Sequence, residues 1–169
     1  MEIHRGAHVC AAPGNDAVRE HLRRMGEDMI EADSRRVMYP WTKVALIVDA
    51  PLGEENDTAH AVAAWITEKF PDLYEAVPSG AIVDVAAAGN TNGTGVQRLA
   101  EILDIAPERV VCVGDSWNDL SMLRIAGRAF APANALEAVR EEPGVTTVGP
   151  SSVCLRDVLD ILERDIQAE

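Results

Sequence analysis

Two carboxylates four residues apart, Asp115 and Asp119, follow directly on the apolar run Val110-Val111-Cys112-Val113-Gly114. Brought together, they form a hard, oxygen-rich site suited to Mg2+. Such a meeting needs a strand end for one carboxylate and the first turn of a helix for the other. Val110 to Val113 reads as a buried parallel strand, and Gly114-Asp115 as the tight turn that ends it. Residues 117–126 carry helical spacing, with Leu120, Leu123 and Ile125 or Ala126 available for packing. Open parallel sheets bind ligands at the carboxyl ends of their strands, and Asp115 falls at such an end. A helix beginning near Ser116 turns Asp119 towards the same crevice. The alternative is that Asp115 only caps that helix.

Composition narrows the partners. With 15 basic and 28 acidic side chains the 169 residues carry a formal charge of −13. A nucleic-acid binder needs a concentrated basic face, and none is visible. Arg19, Arg23 and Arg24 are interleaved with Glu20, Glu27, Asp28 and Glu31, the pattern of a solvated helix face. No apolar run approaches the length of a membrane span. Cys10, Cys112 and Cys154 lack metal-type spacing, and Cys112 reads as a small buried hydrophobe. The odd cysteine count and the absence of a signal-like N-terminus predict a reducing, cytoplasmic setting. His4, His8, His21 and His60 show no pairing at ligand spacing.

The elements that must position the acidic pair follow from periodicity. A helix is predicted over 15–33, with Val18, Leu22, Met25, Met29 and Ile30 on one face. A strand follows at 44–48, a helix at 57–70 closed by Pro71, and a strand at 81–85. The glycine-punctuated stretch Gly89 to Gly95 reads as a loop opening a helix over 94–104. Beyond it the order is α/β: strand 110–113, helix 117–126, strand 128–131, helix 134–141, strand 145–148 and helix 151–165. Alternation with short connections predicts a parallel sheet with right-handed crossovers. Two lobes are expected, about 1–86 and 87–169.

Residues 80–165 resemble the haloacid-dehalogenase-like hydrolase superfamily, in its Cof-type and mannosyl-3-phosphoglycerate phosphatase branch. Gly114-Asp115-Ser116-Trp117-Asn118-Asp119 with Ser121-Met122-Leu123 resembles that family's fourth motif. Ala126-Gly127 and Ala131-Pro132-Ala133-Asn134-Ala135 match a further pattern downstream. The first half resembles the cap inserted into the family core, with Ile3-His4-Arg5-Gly6-Ala7 similar to the segment just before it. The resemblance implies an α/β fold: a partial Rossmann-like core, its parallel sheet flanked by helices, plus an α+β cap-like lobe. It implies Mg2+ held by Asp115 and Asp119. It also implies that Asn118 and Asn134 face the crevice and contact substrate or phosphate, with helix capping and turn formation as the alternative. Trp117 either lines a pocket or packs between lobes, while Trp41 and Trp65 are assigned to the core of the cap.

The same resemblance exposes what is missing. Family members pass a phosphoryl group through an aspartyl-phosphate and use an Asp nucleophile, a second Asp two residues on, a Ser or Thr, and a Lys. This chain has no apolar strand followed by Asp-x-Asp-x-Thr or Ser. Asn92-Gly93 stands where the family has Lys-Gly, so a neutral amide replaces a cation that would meet the phosphate. Asp49, at the end of the 44–48 strand, is a candidate nucleophile, but Pro51 occupies the acid/base position and has no proton to give. The reading is a phosphatase-family protein inactive alone, either half of a split or truncated enzyme or a binding or regulatory derivative. The alternatives are an active Mg2+-dependent phosphohydrolase of a small sugar phosphate and a non-catalytic interaction module. In the family fold the strand beside 110–113 carries the nucleophile, so 110–113 is expected to be a bare apolar edge. Such an edge calls for a second chain, a second copy or the chain's own N-terminal residues to cover it.

Overall fold

The computed structural model describes residues 2–5, 8–11, 16–25, 29–31, 42–48 and 56–168. They fall into two compact units, Met1–Asn90 and Thr91–Glu169.

The first unit contains β1 (Glu2–Arg5), β2 (His8–Ala11), α1 (Asp16–Met25), β3 (Met29–Glu31), β4 (Lys43–Ile47), α2 (Asp57–Lys69), β5 (Tyr74–Ser79) and β6 (Ile82–Ala87). Its six-stranded sheet has the order β3-β2-β1-β4-β6-β5. Only β2 and β3 pair in parallel. On α2, Asn56 Oδ1 accepts from the Ala59 amide at 3.1 Å and caps the helix. Ala59, Ala63 and Ile66 are buried against Val83 and Val85 of β6. Gly80, with φ of 56°, turns β5 into β6 in a two-residue hairpin loop between paired Ser79 and Ile82.

Several expectations are corrected here. The helix predicted over 15–33 ends at Met25, and Met29–Glu31 pair with Val9–Ala11 as a strand. Met29 and Ile30 fit the helical period, yet Gly26 follows Met25 in the sequence and glycine favours helix ends. β5 has no counterpart among the predicted elements; its Pro78 is tolerated because β5 lies at the sheet's edge. Trp65 is 59% exposed rather than core. It lies two residues past Ala63, on the helix face turned away from Val83, and meets Phe70 edge to face. Trp41 lies outside the described residues.

The second unit contains α3 (Asn92–Ile102), β7 (Val111–Val113), a 3-10 turn at Trp117–Asp119, α4 (Leu120–Leu123), β8 (Arg128–Pro132), α5 (Glu137–Arg140), β9 (Val145–Val148) and α6 (Cys154–Ala168). β7, β8 and β9 form a parallel sheet in that order. Side chains alternate between its faces. Cys112, Ala129 and Ala131 pack with Leu120, Leu123, Val139 and, from α3, Val96. Phe130 and Val113 pack on the other face with Cys154, Val158, Ile161 and Leu162 of α6. Trp117 is partly buried against the first of these clusters, within its own unit.

The helix predicted at 94–104 begins two residues earlier. Thr91 and Thr94 form a reciprocal capping box, with the Thr94 amide 3.0 Å from Thr91 Oγ1 and the Thr91 amide 2.9 Å from Thr94 Oγ1. Gly93 and Gly95, expected in a loop, therefore lie in the first helical turn, while Gly89, with φ of 80°, stays in the turn after β6. The helix predicted at 117–126 resolves into the 3-10 turn and the short α4. Among the described residues no helix is long and apolar enough to cross a membrane.

Candidate functional site

Parallel pairing sets the carboxyl ends of β7, β8 and β9 side by side. Gly114-Asp115 leaves β7, Ala133-Asn134 leaves β8 and Gly149-Pro150-Ser151 leaves β9. Between these exits opens a crevice of about 260 Å³. Asp115 and Asp119 line it together with Gly114, Pro132, Ser151 and the α6 residues Cys154 and Leu155. The two predicted carboxylates are thus brought to one place.

Their surroundings differ. Asp115 is exposed, its main-chain oxygen accepts from the Leu136 amide at 3.0 Å, and its carboxylate makes no hydrogen bond among the described residues. Asp119 folds back over the loop. Its Oδ2 accepts from the amides of Asp115 at 3.0 Å and Ser116 at 3.2 Å, and its Oδ1 accepts from Asn92 Nδ2 at 3.2 Å. Gly114 makes this fold-back possible, since a Cβ there would lie 2.4 Å from Asp119 Cβ. A second tie runs beside the first: the Gly93 amide donates to Ser121 Oγ at 3.0 Å. Asn92-Gly93 and the 115–121 loop are meshed.

The other predicted residues take different places. Asn92 reaches the acidic loop directly. Asn118 is exposed within the 3-10 turn, and its main-chain oxygen accepts from Ser121 Oγ at 3.4 Å. Asn134 Oδ1 accepts from the Ser151 amide at 2.8 Å and from Ser151 Oγ at 3.0 Å, clasping the β9 exit to the β8 exit. Asp49 lies outside the described residues. Sequence reasoning missed Ser151 and Cys154, although the rule that ligands gather at strand ends points to the residues after Val148 as it does to Asp115.

The electrostatics favour a cation. Two carboxylates and no basic side chain line the crevice, so a phosphate there needs positive charge from elsewhere. Burial pushes both thiols up, with Asp119 adding to the effect on Cys112 and Asp157 and Asp115 to that on Cys154. Both stay protonated at neutral pH and are poor nucleophiles. No group of three His, Cys, Asp or Glu side chains gathers among the described residues. The donor set still fits Mg2+, which binds through one or two carboxylates and fills its shell with water and phosphate oxygens. Asp115 offers the open carboxylate.

With the parallel sheet and its acidic exit in place, the comparisons identify the class. The chain belongs to the haloacid dehalogenase-like hydrolase family, whose model matches residues 23–148. It is 34% identical over 127 residues to the phosphoglycolate phosphatase of Halorubrum lacusprofundi, covering 74% of this chain and 52% of that protein. The fold matches a Streptococcus mutans crystal structure with a TM-score of 0.79 at 17% identity, covering 98% of this chain and 60% of the other. It also matches an HAD/Cof-like hydrolase from Plasmodium vivax with a TM-score of 0.75 at 20% identity, covering 95% of this chain and 57% of the other. The chain spans about half the length of the curated relatives it matches.

Proposed function

We propose that this chain carries the metal-loop half of a phosphohydrolase site for a small phosphorylated metabolite and does not hydrolyse phosphate esters by itself. A further polypeptide segment pairs with β7 and brings the nucleophile to the crevice. One observation carries the reading: β7, which ends at the open Asp115 carboxylate, has a paired neighbour on one side only among the described residues. An exposed apolar strand edge is ordinarily paired, covered or blunted. Apolar side chains stand exposed on the helices of both layers, Leu99 and Ile102 on α3 and Leu155 and Leu159 on α6. A parallel strand added at β7 would end beside Asp115, about 4.8 Å away in the sheet.

In this reading Asp115 holds Mg2+, Asp119 supports it and Asn92 stands at the edge of the phosphate site. Asn118 and Asn134 border it. The bound cation supplies the positive charge that lets a phosphate dianion approach two carboxylates. Asn92 donates a hydrogen bond without adding charge, so affinity for the phosphate depends on the cation. The crevice volume of about 260 Å³ suits a metabolite of a few carbons, and the Halorubrum relative acts on one such compound by its name. A reducing, cytoplasmic compartment agrees with Cys112 and Cys154, both buried and unpaired.

The test is a phosphate-release assay on the 169-residue chain alone, with Mg2+ and either 2-phosphoglycolate or p-nitrophenyl phosphate. No turnover above the Asp115→Asn control is expected. Mg2+-dependent turnover that Asp49→Asn abolishes in a folded protein would establish instead an enzyme complete in this chain.

A further inference from the structure

We infer that α6 carries a docking seam for a second copy of this chain, and that two copies pair their α6 helices antiparallel about a twofold axis. The inference does not rest on the reading of the crevice.

α6 has two apolar faces. Cys154, Val158 and Ile161 pack with Phe130 in the core. Leu155, Leu159, Leu162 and Ile166 follow one another at spacings of four, three and four residues, the heptad spacing of a helix-pairing seam. At about 100° per residue these four fall within about 60° of one another, about 100° round the helix from the buried face. Leu155, Leu159 and Ile166 are 67%, 59% and 74% exposed, and Leu162 is partly buried at the seam's inner margin. A helix that only covers a sheet needs one apolar stripe. The second stripe is free to meet another helix.

Charge complementarity points to the occupant. With the twofold axis between Leu159 and Leu162, Leu155 meets Ile166 of the second copy and Leu159 meets its Leu162. The exposed residues flanking the seam on its outer side are Arg156 and Glu163. The same symmetry sets Arg156 against Glu163 of the second copy, and Glu163 against its Arg156. Opposite charges at these flanking positions fix helix orientation; parallel pairing would set Glu163 against Val158 instead. Within its own chain Arg156 meets Asp157 at 3.4 Å, an exposed pair that contributes little. On the inner flank Asp165 is already neutralised by Arg128 of its own chain at 2.6 Å. The surface is therefore complementary to itself. The seam spans about 16 Å of helix, short enough for a reversible dimer rather than an obligate one. Leu155 also lines the crevice, so the second copy ends its α6 beside that opening. The dimer belongs to the chain by itself, in which Leu155 and Leu159 stand exposed.

Sedimentation equilibrium on the 169-residue chain tests the seam, at about 0.15 M salt so that the formal charge of −13 is screened beyond about 8 Å. The wild type is expected to approach twice its 18.2 kDa mass, with a dissociation constant of about 1–100 μM, as suits a small interface. Leu159→Glu, at an exposed position, should sediment as a monomer with an unchanged circular dichroism spectrum. Arg156→Glu and Glu163→Arg should each weaken self-association by about 10-fold or more, because like charges then face each other twice. Mixed in equal amounts, these two variants should pair with each other as tightly as wild type does with itself, since both contacts again join Glu to Arg. Loss of folding could not be rescued by such mixing. A wild-type chain that stays monomeric throughout that concentration range would overturn the inference. So would a dimer that Leu159→Glu leaves intact, or a mixture of the two charge variants that fails to associate.

Discussion

Truncating Phe130 to alanine lowers the stability of the Thr91–Glu169 unit by about 3–5 kcal/mol. Phe130 sits in the central strand β8 and is 1% exposed, one of the largest fully buried side chains among the described residues. Its ring fills the space between the sheet and α6, touching the cluster of Cys154 and Val158 with Val113, Val148, Ile161 and Leu162 around it. Alanine leaves a void that three strands and a fifteen-residue helix cannot close together. The Arg128 guanidinium, 5.3 Å from the ring centroid, loses its aromatic face as well. Since α6 contributes Cys154 and Leu155 to the crevice, the same change loosens a wall of the site. Urea denaturation read by circular dichroism checks the magnitude. Phe130→Leu, which keeps most of the volume, should cost less than about 1.5 kcal/mol. Equal stability of Phe130→Ala and wild type would contradict this packing.

The second large effect is at Gly93. A Cβ there would lie 2.4 Å from the Ser121 carbonyl oxygen and 2.7 Å from its carbon. The obstacle is backbone, so α3 must move away from α4 as a body. Overpacking of this kind costs about 1–3 kcal/mol, and loss of the Gly93–Ser121 hydrogen bond adds about 1 kcal/mol. The shift carries Asn92 away from Asp119. Gly95 supplies the control: it lies in the same helix and a Cβ there meets nothing within 4 Å. Gly95→Ala should stabilise by about 0.5–1 kcal/mol through helix propensity. Two glycine-to-alanine changes two residues apart therefore act with opposite signs. Thermal melts of the two variants against wild type measure the contrast, and a neutral Gly93→Ala would show that the two helices are not in the contact described.

The second unit was largely legible because its signals are local. Val110 to Asp115 and Arg128 to Asn134 carry strand, turn and site residues in one continuous stretch. The first unit was less so. Met29 and Ile30 satisfy a helical face and a strand equally well, and pairing with β2 decided between them. Pro78 reads as a breaker until the sheet order places β5 at an edge. Within the site, the spacing of Asp115 and Asp119 predicts their meeting but not the difference in their hydrogen bonding. That depends on Asn92, 27 residues before Asp119, and on Gly114 leaving room, neither of which periodicity reports. Ser151 and Asn134 meet across 17 residues for the same reason. The sequence motif identifies the strand end and the family; the contacts that assign roles are long-range.

The central claim, that this chain holds the cation-binding half of a phosphoryl-transfer site and lacks its nucleophile, is tested most directly by intact-mass spectrometry. The 169-residue chain is incubated with Mg2+ and acetyl phosphate, a small phosphoryl donor, and quenched in acid to preserve any aspartyl-phosphate. The account predicts an unchanged mass. A gain of one phosphoryl group, mapped to an aspartate of this chain and lost in Asp115→Asn, would contradict it.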